Sequence, residues 1–277
     1  MFQTVVKSAQ LISLPEVYLK LKDLIEEPDY TMAEVSLLVG QDPAMATRFL
    51  RAVNNPLNRR TLKIETISHA VSMLGIHQVH DIVLSASVAE AFEGIQNNVM
   101  DNRKFWQRSY YTALMNKRLA DECQMLDSNP FFVMGLLHDI GHMFMYIAIA
   151  EAAQETILNA KKQNRPIYQV EREMLGFDYA EVGGYVMRQW DLPKNFQAIT
   201  HFHTQPGKAA HYGVESALLH LSTMLVTSDL EAGVFGEGTF TVDATVWSTT
   251  DLTMEQCLSA RKTVAGEYRE VADSLFI

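Results

Sequence analysis

Cysteine is nearly absent. The 277-residue chain holds only Cys123 and Cys257, far apart in sequence and without CxxC spacing. That excludes a disulfide framework and a cysteine-rich zinc site, and it suits a reducing, cytoplasmic setting. Positive charge is short as well: 23 Lys and Arg stand against 33 Asp and Glu, for a net charge of -10, and no cluster of five cations occurs. Non-specific nucleic-acid affinity comes from clustered cations, so a general phosphate-backbone binder is not expected, although a small basic patch is compatible with the count. The opening MFQTVVKSAQ lacks the apolar core of a signal peptide. Alternating strand patterns are scarce too, Thr239–Val246 being the exception.

What is present is ordinary globular material, 48% hydrophobic and 20% charged. The length leaves room for one large domain or two modest ones with ample core. The run Phe131–Ala150 is long enough to imitate a membrane span, but His138, Asp139, Gly141 and His142 lie at its centre. Asp alone would cost roughly 2.5–3.5 kcal/mol there, so a buried helix of a soluble protein is expected. The adjacent His138–Asp139 pair is the first place to look for chemistry. Burying an imidazole beside a carboxylate is expensive unless both find partners, either a metal ion or hydrogen bonds. Two residues alone do not separate a site from a hydrogen-bonded core pair.

Helical spacing dominates the rest. Leu14, Val17, Leu21, Leu24 and Ile25 form one stripe. Thr31 and Glu34 read as a capping box for a helix burying Met32, Val35, Leu38 and Val39. Asp42-Pro43 opens a third helix through Met45, Phe49 and Val53, which Asn54-Asn55-Pro56 stops. A fourth carries Ile67, Ala70, Val71 and Leu74 and ends at Gly75, and a fifth runs from about Val79 to Phe92. His69, His77 and His80 read as surface or capping histidines, and Glu93–Asn102 as a linker.

Beyond it, helices are expected over Phe105–Cys123, from Asn129-Pro130 to Gly141, over Ala150–Lys161, from Pro166 to Leu175, over Asp178–Trp190, from Pro193 to His203, over Glu215–Leu230, and from Thr253 onward. The expected fold is therefore all-α, in two packed helical bundles over residues 1–95 and 103–277. Leu74 and Leu137 belong to its buried faces.

Two sets of residues then carry a resemblance. Leu14-Pro15, Gln41-Asp42-Pro43, Asn54-Asn55-Pro56 and Ile67-x-x-Ala70-Val71-x-x-Leu74-Gly75 resemble the opening of an HDOD domain. Phe105-Trp106, Gly135-Leu136-Leu137-His138-Asp139-Ile140-Gly141, Glu173 with Leu175-Gly176, and Trp190-x-Leu192-Pro193 resemble its second half, so the likeness runs from about residue 10 to 275. It implies an all-α fold related to HD-type metal-dependent phosphohydrolases. It also implies a place in bacterial signalling and regulation, generally without demonstrated catalysis.

In an HD phosphohydrolase several imidazoles and carboxylates converge on one or two cations that activate water and clamp phosphate oxygens. Carried over by resemblance, that set is broken here. The upstream His position falls on Arg108, whose guanidinium has no lone pair to offer a metal. The third His position is Tyr179, and the late His pair reads Phe202-His203, with His201 nearby as a substitute. His138, Asp139, His203 and Asp229 remain as metal ligands, and His142 stands where Lys is common. His142 and His201 are further candidates for ligand contact.

Two arrangements stay open: a single divalent ion on the surviving four, or a metal-free hydrogen-bonded cluster. Arg108 is either a guanidinium lying in the cation's place beside Asp139 and Asp229, or a solvated residue. The expected function is a non-catalytic, regulatory signalling protein with a degenerate HD site and no resident cofactor. It would act through protein partners or a small ligand, without membrane or nucleic acid, and with homo-oligomerisation open. The alternative is a metal-dependent phosphohydrolase acting on a nucleotide.

Overall fold

The computed structural model describes residues 1–54, 63–95, 98–232 and 242–271, with side chains described except at 228–232 and 270–271. Among the described residues every regular element is helical, so the fold is all-α. The helices form two compact units, Ile12–Ile95 and Met1–Leu11 with Gln96–Ile277. The first helix, α1 (Phe2–Ala9), thus joins the larger unit, whereas a boundary drawn from sequence starts the smaller unit at residue 1. Its anchor is aromatic: Phe2 meets Phe177 edge-on at 5.1 Å and Tyr185 at 6.1 Å.

The unit Ile12–Ile95 contains α2 (Glu16–Glu26), α3 (Met32–Gln41), α4 (Pro43–Val53) and α5 (Ile67–Ala91). Its boundaries follow local chemistry. Thr31 Oγ1 accepts the Glu34 N–H at 3.2 Å while Glu34 Oε2 accepts the Thr31 N–H at 2.8 Å, closing the capping box of α3. Asp42 Oδ1 accepts from the Met45 N–H at 2.9 Å, with Pro43 in the first turn of α4. Gly75, at φ +73°, kinks α5 into two segments, a conformation that side-chain-bearing residues adopt at a cost. The core is built from Tyr18, Leu21, Val35, Val39, Met45, Phe49, Val71 and Val83. Leu74 is only half-buried, so it lies at the edge of that core. His80 is held rather than solvated: its Nε2 lies 3.2 Å from Tyr18 Oη and its Nδ1 3.2 Å from Asp81.

The larger unit is organised around α6 (Asn102–Glu122), α7 (Asn129–Leu137) and α8 (Ile140–Ala148). α9 (Ala150–Gln163), α10 (Ile167–Leu175), α11 (Tyr179–Gln189) and α12 (Lys194–Phe202) follow. α13 (Gly213–Ala232), α14 (Thr245–Thr250) and α15 (Met254–Val271) complete it. α6 packs on α7, α13 and α15, and α8 packs on α11 and α1. The apolar stretch Asn129–Ala148 is long and apolar enough to cross a membrane, and 78% of its most apolar 18 residues are buried inside the protein.

Two local expectations are corrected. The helix does not end at Gly141. It breaks at His138–Asp139, and Gly141 sits inside α8, where it touches α11 so closely that an added Cβ would overlap the Tyr179 carbonyl oxygen and lie 2.8 Å from the Gly183 nitrogen. Of the alternating piece Thr239–Val246, residues 239–241 lie outside the described residues, and Thr245 and Val246 begin α14.

Candidate functional site

The break between α7 and α8 makes the site. α7 closes at Leu137, His138 follows as its C-cap, and Asp139 becomes the N-cap of α8, with its carbonyl accepting the His142 N–H at 3.0 Å. Two consecutive side chains that a continuous helix would splay about 100° apart are thereby both buried, at 0% and 1% exposure. A carboxylate buried so deeply requires compensation.

Asp139 receives it from two sides. Arg108, projecting from α6, donates from Nη2 to Asp139 Oδ2 at 2.7 Å. The other oxygen, Oδ1, accepts from His142 Nδ1 one turn along α8. Burial alone would push the Asp139 carboxyl up, but Arg108 and His142 outweigh it and hold it well below the usual carboxylate range. Arg108 is 23% exposed and so reaches this pair from the protein surface. The solvated alternative for Arg108 does not hold.

His142 is closed at both nitrogens. Its Nε2 lies 2.7 Å from Glu171 Oε1 on α10, and the second oxygen of Glu171 accepts the Tyr179 N–H at 3.0 Å. Ionised carboxylates only accept, so with both of them charged the ring donates at both ends as an imidazolium. Burial opposes that charge, but Asp139 and Glu171 prevail and raise the pKa to about 9. Glu171 is itself pushed upward by burial, with His142 pulling the other way. Tyr146 and Tyr179 stack on the two sides of the ring, with centroids 5.2 and 4.1 Å away. No nitrogen of His142 is left for a bound ligand, contrary to the expectation from sequence.

The other two imidazoles of the cluster, His138 and His203, favour the neutral form. His138 Nδ1 donates to the Gly135 carbonyl at 2.7 Å, and burial lowers its pKa to about 4. Its Nε2, a buried lone pair, has no hydrogen-bond partner among the described residues. His203, the C-cap of α12, donates from Nδ1 to the Thr200 carbonyl at 2.6 Å, which leaves Nε2 to accept from Tyr179 Oη at 3.0 Å. Burial holds its pKa well below the ordinary histidine value. The rings of His138 and His203 meet edge-on at 5.6 Å.

The structure thus brings Arg108, His138, Asp139, His142, Tyr179 and His203 together. His201 does not join them; it is half-buried, with its ring edge on Phe202 at 4.5 Å. Phe202 is likewise half-buried, at the end of α12. Asp229 belongs to α13, and its side chain lies outside the described residues.

These contacts test the expected metal. Both oxygens of Asp139 are engaged, and the lone pair of His203 Nε2 is taken by a hydroxyl. Only His138 Nε2, of the ligands whose side chains are described, is open. Among the described residues no group of three His, Cys, Asp or Glu is arranged to hold a metal ion. The described residues do not fit one.

Glu171 is the member that sequence reasoning missed. The signal was a carboxylate on the buried stripe of α10, between Tyr168 and Leu175, with an adjacent salt bridge pinning the helix. Arg172 pairs with Asp178, whose Oδ1 caps α11 at the Glu181 N–H at 2.9 Å and whose Oδ2 accepts from Thr204 Oγ1 at 2.9 Å. That pair fixes the start of α11, and with it Tyr179.

Known structures share this architecture. An HDOD domain protein of unknown function from Geobacter sulfurreducens superposes with a TM-score of 0.78 over the whole of both chains at 20% identity. A provisionally named signal transduction protein from Marinobacter aquaeolei gives 0.74 at 19% identity, over 94% of this chain and 58% of its own. A provisionally named phosphohydrolase from Shewanella amazonensis gives 0.68 at 21% identity, over 94% and 98%. In sequence, an uncharacterised protein of Treponema pallidum is 26% identical over 197 residues. That match covers 69% of this chain and 37% of the relative, so the chain spans little more than a third of it. The HDOD domain family matches residues 11–206, and the chain belongs to that family.

Proposed function

We propose that this HDOD domain is a non-catalytic regulatory module of signal transduction, working by association with a protein partner or a small ligand. One observation supports the reading above the others: Asp139, the carboxylate that metal-dependent chemistry would need, is already held by Arg108 at 2.7 Å and by His142. Releasing it for a cation would deprive the part-buried Arg108 guanidinium and the buried His142 ring of the anion they share. The signal-transduction name of the Marinobacter relative agrees with this role. The phosphohydrolase name of the Shewanella relative favours a second reading, nucleotide hydrolysis on one metal, for which the open His138 Nε2 is the available anchor. The two unpaired cysteines suit a cytoplasmic place of action.

The test is metal analysis of the purified chain followed by a hydrolysis screen over nucleoside mono-, di- and triphosphates with Mn²⁺ and Mg²⁺. The expected result is no stoichiometric metal and no turnover above buffer. One equivalent of tightly bound metal together with turnover establishes the hydrolase instead.

A further inference from the structure

We infer that Arg108 and His142 act as the chain's own replacement for bound metal, supplying two cations to a row of four groups of alternating charge, three of them buried. The inference rests on the non-catalytic reading above, and it explains why two departures from the expected ligand set occur together.

The row alternates in sign: the Arg108 guanidinium, the Asp139 carboxylate, the His142 imidazolium, the Glu171 carboxylate. The outer contacts measure 2.7 Å at Arg108–Asp139 and 2.7 Å at His142–Glu171, with the Asp139–His142 hydrogen bond joining them. Asp139, His142 and Glu171 are each exposed by 1% or less. Among the described residues the two cations of the row face two anions, which places a positive group beside each buried carboxylate without an added ion. The four come from α6, the start of α8, α8 itself and α10, and the row exists only when those helices are assembled.

Tyr179 completes the replacement. An imidazole at this position would be a further metal ligand. The phenol instead stacks on His142 at 4.1 Å, donates to His203 Nε2 at 3.0 Å, and offers its backbone N–H to Glu171 at 3.0 Å. It therefore supports the added cation and withdraws a histidine lone pair from coordination. Arg108 and Tyr179 are two parts of one rearrangement.

The experiment is a thermal-melt cycle on the full chain: wild type, R108A, D139N and the double variant, each in EDTA and in excess Mn²⁺. Wild type should melt identically in both. R108A should melt lower by on the order of 10 °C, because a buried carboxylate loses its cation. Adding D139N to R108A should cost far less than D139N costs alone, and Mn²⁺ should raise the melt of R108A but not of the double variant. R108K, which keeps the charge without the planar fork, covers the case in which R108A does not fold; it should melt between the two without responding to Mn²⁺. R108A melting like wild type, strict additivity of the two substitutions, or a Mn²⁺-dependent R108K overturns the inference while a metal-free, inactive wild type keeps the functional reading. Metal and turnover in wild type overturn the functional reading itself.

Discussion

Tyr179 lies flat against His142, ring on ring at 4.1 Å and 19°, and the same phenol reaches 3.0 Å to His203 Nε2. A single side chain thus joins the charged half of the site to its neutral half. Tyr179→Phe keeps the stack and removes the hydroxyl, leaving a buried acceptor on His203 unsatisfied. It should cost about 1–3 kcal/mol. Tyr179→Ala removes both and should cost about 3–5 kcal/mol. Urea denaturation midpoints of the two variants give the comparison; a wild-type midpoint for Tyr179→Phe would show that the hydroxyl carries nothing, and equal losses that the stack carries nothing.

Glu171 is the anion behind His142. Replacing it with Gln leaves the buried His142 and the part-buried Arg108 facing one carboxylate, with an expected loss on the order of 3–5 kcal/mol. Arg48 is a control nearer the surface, 2.6 Å from Glu90 with both side chains about 30% exposed, and paired also with the exposed Glu93. Arg48→Ala should cost no more than about 1 kcal/mol. Equilibrium unfolding of the two variants should therefore differ severalfold, and similar losses would deny the burial argument.

Close approach of α8 and α11 predicts opposite results for two glycines. Gly141→Ala drives a methyl into the Tyr179 carbonyl, and the backbone cannot yield without moving α11 and the Glu171 contact with it. A loss of about 3 kcal/mol or more, or failure to fold, is expected. Gly266 lies within α15 with nothing within 4 Å of an added Cβ. Gly266→Ala should gain about 0.5–1 kcal/mol from helix propensity. Melting temperatures moving in the same direction would refute the packing assignment.

Much of this was legible in the chain. Thr31 with Glu34, Asp42 with Pro43, and Asp178 announce helix starts because capping is local chemistry between residues three apart. Gly75 announces a break for the same reason. The site was legible only in outline: His138–Asp139 stood out as polar residues in an apolar run, and Arg108 as a cation at a ligand position. The position of the break was not legible, because Gly141 reads equally as a helix stop and as a point of close contact. Only the neighbouring α11 decides between them. Glu171 was hidden because its partner is 29 residues away, and its place on the stripe between Tyr168 and Leu175, unlike that of Glu173, was the one local sign that it turns inward. The role of α1 was hidden similarly, since its attachment is to Phe177 and Tyr185.

Stability should peak near neutral pH. The folded pKa of His142 is raised to about 9, above its ordinary value near 6.5, so its contribution is complete below pH 6.5 and is lost as pH rises through about 9. His138 is shifted the other way, to about 4, so the unfolded chain takes up its proton first and stability falls as pH drops from 6.5 towards 4. Denaturation midpoints from pH 4 to 10 should show both limbs, and His142→Gln should flatten the alkaline one. An alkaline limb unchanged in that variant would place the titration elsewhere.

The central claim is that this interior carries its own cations. Nitrogen-15 NMR of histidine-labelled wild type near pH 7.5 reads it directly. Both ring nitrogens of His142 should appear protonated. His138 and His203 should be neutral with the proton on Nδ1, and none should move when Zn²⁺ is added. A neutral His142, or a Zn²⁺-induced shift at His138 Nε2 and His203 Nε2, would contradict it.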